Sequence, residues 1–477
     1  YSSGNKDITA IRRLIDDIAN KSLGSNPLST VTLFGKACVD YKGVNKTSNT
    51  CIDYIPTYEK LYSSNFIQSF CTDDIYGLST QDTNLNDRAI EMSFGVGRLP
   101  VSTVEEARDV VNKIKAYKAK ESYGDWRLIT TTVSDDYDDL ADADFYIQNE
   151  EMNRYLTDEN VKTIQNKIYL DAFSQQQFSG GQRYEDVEKL VKDNFTFGSL
   201  LMTYIGHGGE TNWTQERILS SNDLPIYQNL HSLPFVTTAT CGFAPYDKPN
   251  ASNKSAGEKY LLQEDGGAIG LMTTCREVYI SDQGSFMDHF IKGFYSGSAK
   301  TFGDISRETK SENNFDLNSQ KVVLLGDPAL EPNFPKYNVV TTSISNGTDD
   351  TLKSLSKVTI RGEVQDLSNN IMADFNGFSQ ITVYDKPTMS ILNYNDRKDP
   401  RIPGDTFQTQ LSRIFKGSTE VVNGKFSIEF IVPKDINYAI GRGKIAYYAA
   451  DINEAPYRDA SGMDTNVWVG GANRNAK

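Results

Sequence analysis

The sequence is short of histidine and cysteine. Its 477 residues hold three histidines, His207, His231 and His289, and five cysteines, Cys38, Cys51, Cys71, Cys241 and Cys275. No two cysteines form a C-x-x-C pair, so the usual ligand spacing of a structural zinc site is missing. No apolar run approaches the ~18–20 residues that carry a helix across a bilayer. Basic residues are outnumbered by acidic ones, 49 to 63, for a formal net charge of −14. A nucleic-acid partner needs a basic face, so that balance argues against one. Internal repeats and low-complexity tracts are lacking. The chain opens on Tyr1-Ser2-Ser3-Gly4 with no Met and no signal peptide. It therefore reads as processed or truncated, and the missing signal leaves localisation open.

What is present supports folded cores: 38% hydrophobic and 11% aromatic residues over a length that needs two or three domains. Ile8, Ile11, Leu14, Ile15 and Ile18 fall at helical spacing behind Asp7, which predicts an N-capped amphipathic helix over 8–20. A buried strand follows at 30–34. Residues 40–88 read as long polar, Tyr-rich loops. A strand at 91–100 leads into a helix over 103–121, with Thr103 and Glu106 as its capping box and Val104, Ala107, Val110, Val111, Ile114 and Tyr117 as its apolar stripe. Further strands are predicted at 127–133, 166–170, 200–205, 234–240, 266–273 and 322–325. Helices are predicted at 143–156, 184–194, 256–264, 283–295 and 301–313. Such alternation indicates parallel α/β structure. Beyond about residue 336 the pattern changes to period two, at 358–364, 380–384, 425–431 and 444–450, as in an immunoglobulin-like β-sandwich. The expected division is an α/β subdomain A over 1–120, an α/β catalytic subdomain B over 121–335 and a sandwich over 336–477, with 332–337 as linker.

Two strand ends carry reactive side chains. His207 follows Leu200-Leu201-Met202-Thr203-Tyr204-Ile205-Gly206, and Cys241 follows Pro234-Phe235-Val236-Thr237-Thr238-Ala239-Thr240. Ligands of open α/β sheets bind outside the carboxyl ends of the strands. A thiol and an imidazole at one sheet edge read as a nucleophile and its proton-transfer partner. An arbitrary Cys is more often buried and structural. Gly242 after Cys241, and glycines on both sides of His207, favour the reactive reading because they let a substrate approach. His231, before Pro234, and His289, between Phe286 and Phe290, read as surface or packing residues. Cys275 lacks a small-residue cradle and ranks below Cys241. The backbone N–H groups of Gly208 and Cys241 are the expected oxyanion donors. The 34 residues from His207 to Cys241 suit a crossover with a helix near 215–230.

Asp135 and Asp136 end the strand at 127–133, and one of them is expected to orient the imidazole. Their loop, 134–144, holds six Asp in eleven residues. Such density means either a solvated surface or oxygen ligands for calcium. Asp138 and Asp139, with Asp73 and Asp74 as a second cluster, are the expected ligands of a structural Ca2+, although no EF-hand spacing supports it. Glu210, Trp213, Thr274, Arg276 and Glu277 lie past strand ends and are expected in the substrate pocket. Cys38, Cys51 and Cys71 leave a disulfide among them open; Cys38 and Cys51 flank a loop that a bridge could close.

Tyr204-Ile205-Gly206-His207-Gly208-Gly209-Glu210, Thr238-Ala239-Thr240-Cys241, Leu325-Gly326-Asp327-Pro328-Ala329-Leu330 and Gly97-Arg98-Leu99-Pro100 resemble the gingipain-like cysteine peptidases of family C25, which have a caspase-like fold. Gln215-Glu216-Arg217-Ile218-Leu219, Ser255-Ala256-Gly257-Glu258, Gly266-Gly267-Ala268-Ile269 and Thr273-Thr274-Cys275-Arg276 resemble the branch of that family that serves type IX secretion as a sortase. Asp374-Phe375-Asn376-Gly377, Val383-Tyr384-Asp385-Lys386 and 432–438 fit the same branch. The resemblance implies His207 and Cys241 as the catalytic pair, and it strengthens the calcium expectation. It implies an exported enzyme on the outer-membrane surface that removes the C-terminal secretion signal of cargo proteins. The new carboxyl end would be joined to anionic lipopolysaccharide, with the barrel protein PorV as partner. No cofactor is needed for that chemistry. The relatives extend beyond both ends of this sequence, so a longer parent chain is expected. Lys36-Ala37-Cys38 replaces the Gly/Asp-rich turn common in relatives, so a bridge at Cys38 would be specific to this lineage. The competing readings are a gingipain-like secreted endopeptidase and a non-catalytic scaffold of the secretion machinery.

Overall fold

In a computed structural model of the chain, the described residues are 3–22, 27–44, 51–60, 69–78, 91–139, 142–249, 253–314, 316–345, 351–396 and 405–473. Parts of the loops expected at 40–88 lie outside them.

Eight strands form one sheet: β1 Thr30–Phe34, β2 Gly95–Leu99, β3 Ile129–Ser134, β4 Ile164–Tyr169, β5 Leu201–Ile205, β6 Phe235–Ala239, β7 Gly270–Thr274 and β8 Val322–Leu325. Their order is β1-β2-β8-β7-β6-β5-β3-β4. Within β4-β3-β5-β6-β7 every pairing is parallel, and so are β1-β2 and β2-β8. Between β7 and β8 the pairing is antiparallel, with Leu271 opposite Leu325. The two α/β blocks thus share one sheet and run in opposite directions, so the carboxyl ends of β3, β5, β6 and β7 all reach the same edge.

Among the described residues the longer helices flanking the sheet are α1 Ile8–Lys21, α2 Val104–Lys118, α3 Asp144–Asp158, α4 Glu185–Phe197, α5 Ala256–Leu262, α6 Ile280–Tyr295 and α7 Phe302–Glu312, with a short α8 at Leu317–Lys321. Asp7 caps α1 by accepting the N–H groups of Thr9 and Ala10. Thr103 caps α2 by accepting the Glu106 N–H, but the expected capping box does not close. The Glu106 carboxylate turns instead to Ser102, at 2.8 Å from its N–H and 2.9 Å from its hydroxyl, and to Lys254 at 2.6 Å. Val104 and Val111 are exposed, so the buried stripe of α2 is narrower than its apolar spacing suggests. The expected helix near 215–230 is absent. An antiparallel hairpin, 212–213 with 219–220, and one 3-10 turn at 224–226 occupy that segment. Positive φ at Thr214 and Arg217, followed by Pro225, interrupts any helix there.

The second domain begins at residue 337. Its seven-stranded sheet runs from the strand at 413–421 to the strand at 425–431. The turn 422–425 joins these two edges, so the sheet nearly closes on itself. A three-stranded sheet packs beside it. Alternation predicted two facing sheets. The continuous ladder arises because Tyr337 and Asn338 pair in parallel with Ala460 and Ser461. The domains meet through Leu128, Ile164, Tyr384, Ala446, Tyr448 and Ala450 and through the buried Arg127–Asp459 pair at 2.6 Å.

Several buried ions tie the α/β domain together. Lys36 and Glu258 are both fully buried, 2.6 Å apart. Glu258 also closes a true capping box with Ser255. Gly257 sits where a Cβ would lie 2.9 Å from Ala244 Cβ. The Ser-Ala-Gly-Glu motif therefore has a structural explanation: cap, close approach and ion pair. Cys38 and Cys51 form a disulfide, while Cys71 is a free, buried thiol. Asp73 and Asp74, the second acidic cluster, are each engaged by a buried cation. Both oxygens of Asp73 accept from Arg98, and both oxygens of Asp74 accept from Lys310.

Replacing Lys36 by Met leaves the Glu258 carboxylate buried without its cation. That substitution is expected to cost about 3–5 kcal/mol in denaturant unfolding, and Lys36→Met combined with Glu258→Gln is expected to recover part of the loss. Equal stability of Lys36→Met and wild type would contradict the pairing.

Candidate active site

Parallel pairing sets the height of the two reactive side chains. Thr238 lies opposite Tyr204 and Ala239 opposite Ile205, and the Gly206 N–H continues the ladder to the Ala239 carbonyl at 3.1 Å. His207 and Cys241 therefore each stand two residues past a matched pair, on adjacent strands about 4.8 Å apart. Gly206 allows this approach: a Cβ there would lie 2.3 Å from Asp135 Cβ. Gly208 is confined in the same way, with a Cβ 2.5 Å from Thr240 Oγ1.

The imidazole is oriented by Asp142. His207 Nε2 lies 3.0 Å from Asp142 Oδ1, and the Asp142 side chain is only 1% exposed whereas that of His207 is 39% exposed. The other oxygen of Asp142 accepts the N–H groups of Asp138 at 3.2 Å and Asp139 at 2.8 Å. A carboxylate fixed by two backbone donors holds the ring through Nε2 and leaves Nδ1 for proton transfer. Phe145 packs edge-on against the ring, with centroids 5.5 Å apart.

The orienting role expected of Asp135 or Asp136 therefore belongs to Asp142, because both carboxylates face inward beneath the sheet edge. Asp135 accepts the backbone N–H of His207 at 2.7 Å, so it positions the residue and leaves the ring to Asp142. Asp136 accepts the Tyr184 hydroxyl at 2.9 Å. Burial, reinforced by the Asp136 charge, pushes the Asp135 carboxyl well up, and burial raises Asp136 to about 6. Asp138 and Asp139 contribute backbone donors to Asp142.

Cys241 is partly buried and its thiol turns toward the Val278 carbonyl, 3.9 Å away. It lines a cavity of about 870 Å3 together with Glu59, Phe70, Gly208, Lys248 and Arg276. Gly208 occupies the non-hydrogen-bonded position of an antiparallel bridge to Trp213. Among the described residues neither its N–H nor that of Cys241 has a protein acceptor, as an oxyanion site requires. Cys275 borders the same cavity, but it is fully buried and its thiol donates to the Cys71 carbonyl at 3.0 Å.

The expected pocket residues divide. Glu210 and Glu277 line the cavity, and Glu210 pairs with Lys248. Arg276 lines it too, but its guanidinium is held by the buried Asp247. Trp213 is fully buried and stacks on Tyr204 at 4.5 Å, so it supports the site from behind and does not contact the cavity. Thr274 is also buried, and its hydroxyl donates to the Thr240 carbonyl. Glu59 is the wall residue that sequence patterning missed. Both its oxygens are buried with no hydrogen-bond partner, and burial, with the Asp247 charge adding, pushes its carboxyl up to about 9. Nothing in the sequence around Glu59 marks it, because the hairpin 58–60 with 70–72 reaches this edge from a remote part of the chain. Asp142 carried one usable signal: it stands just ahead of α3, whose first turn supplies Phe145.

Cys241 is expected to react with iodoacetamide ahead of Cys71 and Cys275, as read by peptide mass spectrometry. Burial raises its thiol, the Glu277 charge adds to that, and Lys321 opposes it. Glu277→Gln should therefore lower the pH midpoint of alkylation and Lys321→Met should raise it. Faster labelling of Cys275 would contradict the assignment.

The family profile of peptidase family C25 matches residues 1–333. Among solved structures, the Arg-specific cysteine proteinase gingipain R (RgpB) superposes with a TM-score of 0.52 at 15% identity, covering 96% of this chain and 88% of that one. The complex of Porphyromonas gingivalis RgpB pro- and mature domains gives a TM-score of 0.50 at 14% identity, covering 96% and 90%. Dimeric latent PorU from Porphyromonas gingivalis is 22% identical with a TM-score of 0.40; the match covers 99% of this chain and 39% of PorU. No curated protein matched the sequence. With Cys241 and an Asp142-oriented His207 at one sheet edge, the chain belongs to peptidase family C25 and is a gingipain-like cysteine peptidase.

Proposed function

We propose that this peptidase is a surface sortase of type IX secretion. It cleaves the C-terminal secretion signal from exported cargo and transfers the new carboxyl end to an amine of anionic lipopolysaccharide. Cys241 attacks the scissile carbonyl, and its sulfur forms the thioester as the C–N bond breaks. His207 takes the thiol proton and gives it to the departing amine. The N–H groups of Gly208 and Cys241 hold the oxyanion. An incoming amine then displaces the thiol, and the thiol recovers its proton. Cargo, the barrel protein PorV and the lipopolysaccharide acceptor are the proposed partners, at the outer-membrane surface.

The observation that carries this reading is the cavity beside Cys241, at about 870 Å3 roomy enough for a peptide end and a second nucleophile. The sortase-like motifs lie around it: Cys275 and Arg276 border the site, and Glu258 anchors α5 against Lys36. A secreted endopeptidase would use the same acylation chemistry. The scaffold reading has no need of a carboxylate fixed on an imidazole at the sheet edge that also carries a thiol.

Mass spectrometry of a cargo C-terminus, after incubation with the protein and an amine donor, is expected to show signal loss and a new amide. Cys241→Ala should abolish both. Asp142→Asn should lower kcat by about 10²–10⁴-fold, as loss of an imidazole-orienting carboxylate does elsewhere. Trimming and anchoring that persist in Cys241→Ala would defeat the catalytic reading. Broad digestion of unrelated proteins would favour the endopeptidase.

A further inference from the structure

Two thiols remain that the acyl-transfer chemistry does not use. Cys71 and Cys275 are both free and both fully buried, and they lie 204 positions apart in the chain. The fold brings them together. The Cys275 thiol donates to the Cys71 carbonyl at 3.0 Å, and the two thiols are also hydrogen-bond partners of each other. Side chains that point apart cannot be bridged without moving the backbone, so thiols that meet satisfy the first requirement of a disulfide. Arg276 completes the cluster, with Nη1 3.8 Å from Cys71 Sγ and 2.9 Å from Asp247 Oδ1.

The surroundings show what such a bridge would hold. Cys71 lies on the strand 70–72, which pairs antiparallel with 58–60 and sets Glu59 opposite Cys71. This hairpin contributes Glu59 and Phe70 to the wall of the active-site cavity. Cys275, Arg276 and Glu277, just past the end of β7, contribute another part of that wall. The Cys71–Cys275 contact is therefore a seam between two segments that shape the space beside Cys241. Disulfides such as Cys38–Cys51 form and persist in oxidising compartments. Under those conditions five cysteines divide into two pairs and one nucleophile.

We propose that Cys71 and Cys275 close a second disulfide, which fixes the hairpin wall of the active-site cavity to the end of β7 and leaves Cys241 as the single free thiol. Access sets the order of events. Cys275 borders the cavity and Cys71 lies behind it, so a small disulfide entering the cavity meets Cys275 first. Cys275 Sγ attacks one sulfur of that disulfide. The small S–S bond breaks, and its other half leaves as a thiol carrying the Cys275 proton. Cys71 Sγ then attacks Cys275 Sγ, the mixed disulfide breaks, and the second half leaves with the Cys71 proton. The protein gives up two electrons and two protons, and the small disulfide takes both. Burial, the Cys275 hydrogen bond and the Asp247 charge push the Cys71 thiol well up, while the Arg276 guanidinium opposes them. Arg276 is thus the group that favours the Cys71 thiolate in the second step.

The test incubates the purified chain with oxidised glutathione in native buffer. Free thiols are then blocked with N-ethylmaleimide after denaturation, and peptides are mapped without reduction. The expected result is a linked peptide pair joining Cys71 to Cys275, with the unbridged cysteines falling from three to one, Cys241. Closure should also slow amide hydrogen exchange in 58–60 and 70–72 by about tenfold or more relative to Cys71→Ala and Cys275→Ala. Both variants are checked for folding by circular dichroism, and exchange in the β domain should match the wild type. The linked peptide needs no variant to be seen. Cys71 and Cys275 that both remain alkylatable after the oxidant would overturn the proposal. So would a Cys275–glutathione disulfide that never passes to Cys71, or a bridge from either residue to Cys241. Equal hairpin exchange in the bridged chain and the folded variants would overturn the role assigned to the bridge in fixing the wall.

Discussion

The site depends on the parallel register between β5 and β6. With Ala239 opposite Ile205, the two strands end level, and whatever lies two residues further on each must meet at one edge. A one-residue slip would send each side chain to the opposite face. The register is held by more than its ladder. Val236 and Phe235 belong to the hydrophobic cores on the two sides of the sheet, and Thr238 is hydrogen-bonded to Thr273 on β7 at 2.6 Å. The small residues Gly206, Gly208 and Gly242 then let the chain turn sharply without a Cβ in the way.

Around that edge, residues of one acidic loop do different jobs because their depths differ. Asp135 lies beneath the strand ends and holds the backbone of His207; Asp142 lies beside the ring and holds Nε2; Asp138 and Asp139 supply N–H groups that fix Asp142. Their charges are shared unevenly. Asp142 is stabilised by backbone donors, whereas Asp135 and Asp136 face each other and Glu216 in a dry space.

Much of this was legible in the sequence because it is carried by local pattern. Strand ends at His207 and Cys241, the Thr103 cap and the change to period two near residue 336 each follow from short runs of residues. What escaped depends on distant pairs. In a loop with six Asp, only the fold decides which carboxylate meets the ring, and the position nearest the strand end is the wrong one. Thr274, Trp213 and the acids Asp73 and Asp74 stood at plausible positions, but burial among tight partners removed them from solvent. Glu59 reaches the cavity from a hairpin far away in sequence. The expected helix between β5 and β6 failed locally, because Thr214, Arg217 and Pro225 break the backbone where periodicity alone suggested continuity.

The central claim is that Cys241 carries the acyl group while the Asp142-held His207 moves the proton. The direct measurement is acid-quenched mass spectrometry of the enzyme mixed with a substrate whose acyl portion is isotopically labelled, followed by peptide mapping. The account predicts a labelled thioester on the peptide containing Cys241, formed more slowly in Asp142→Asn and absent in Cys241→Ala. A labelled adduct on Cys275, or turnover by Cys241→Ala at the wild-type rate, would contradict it.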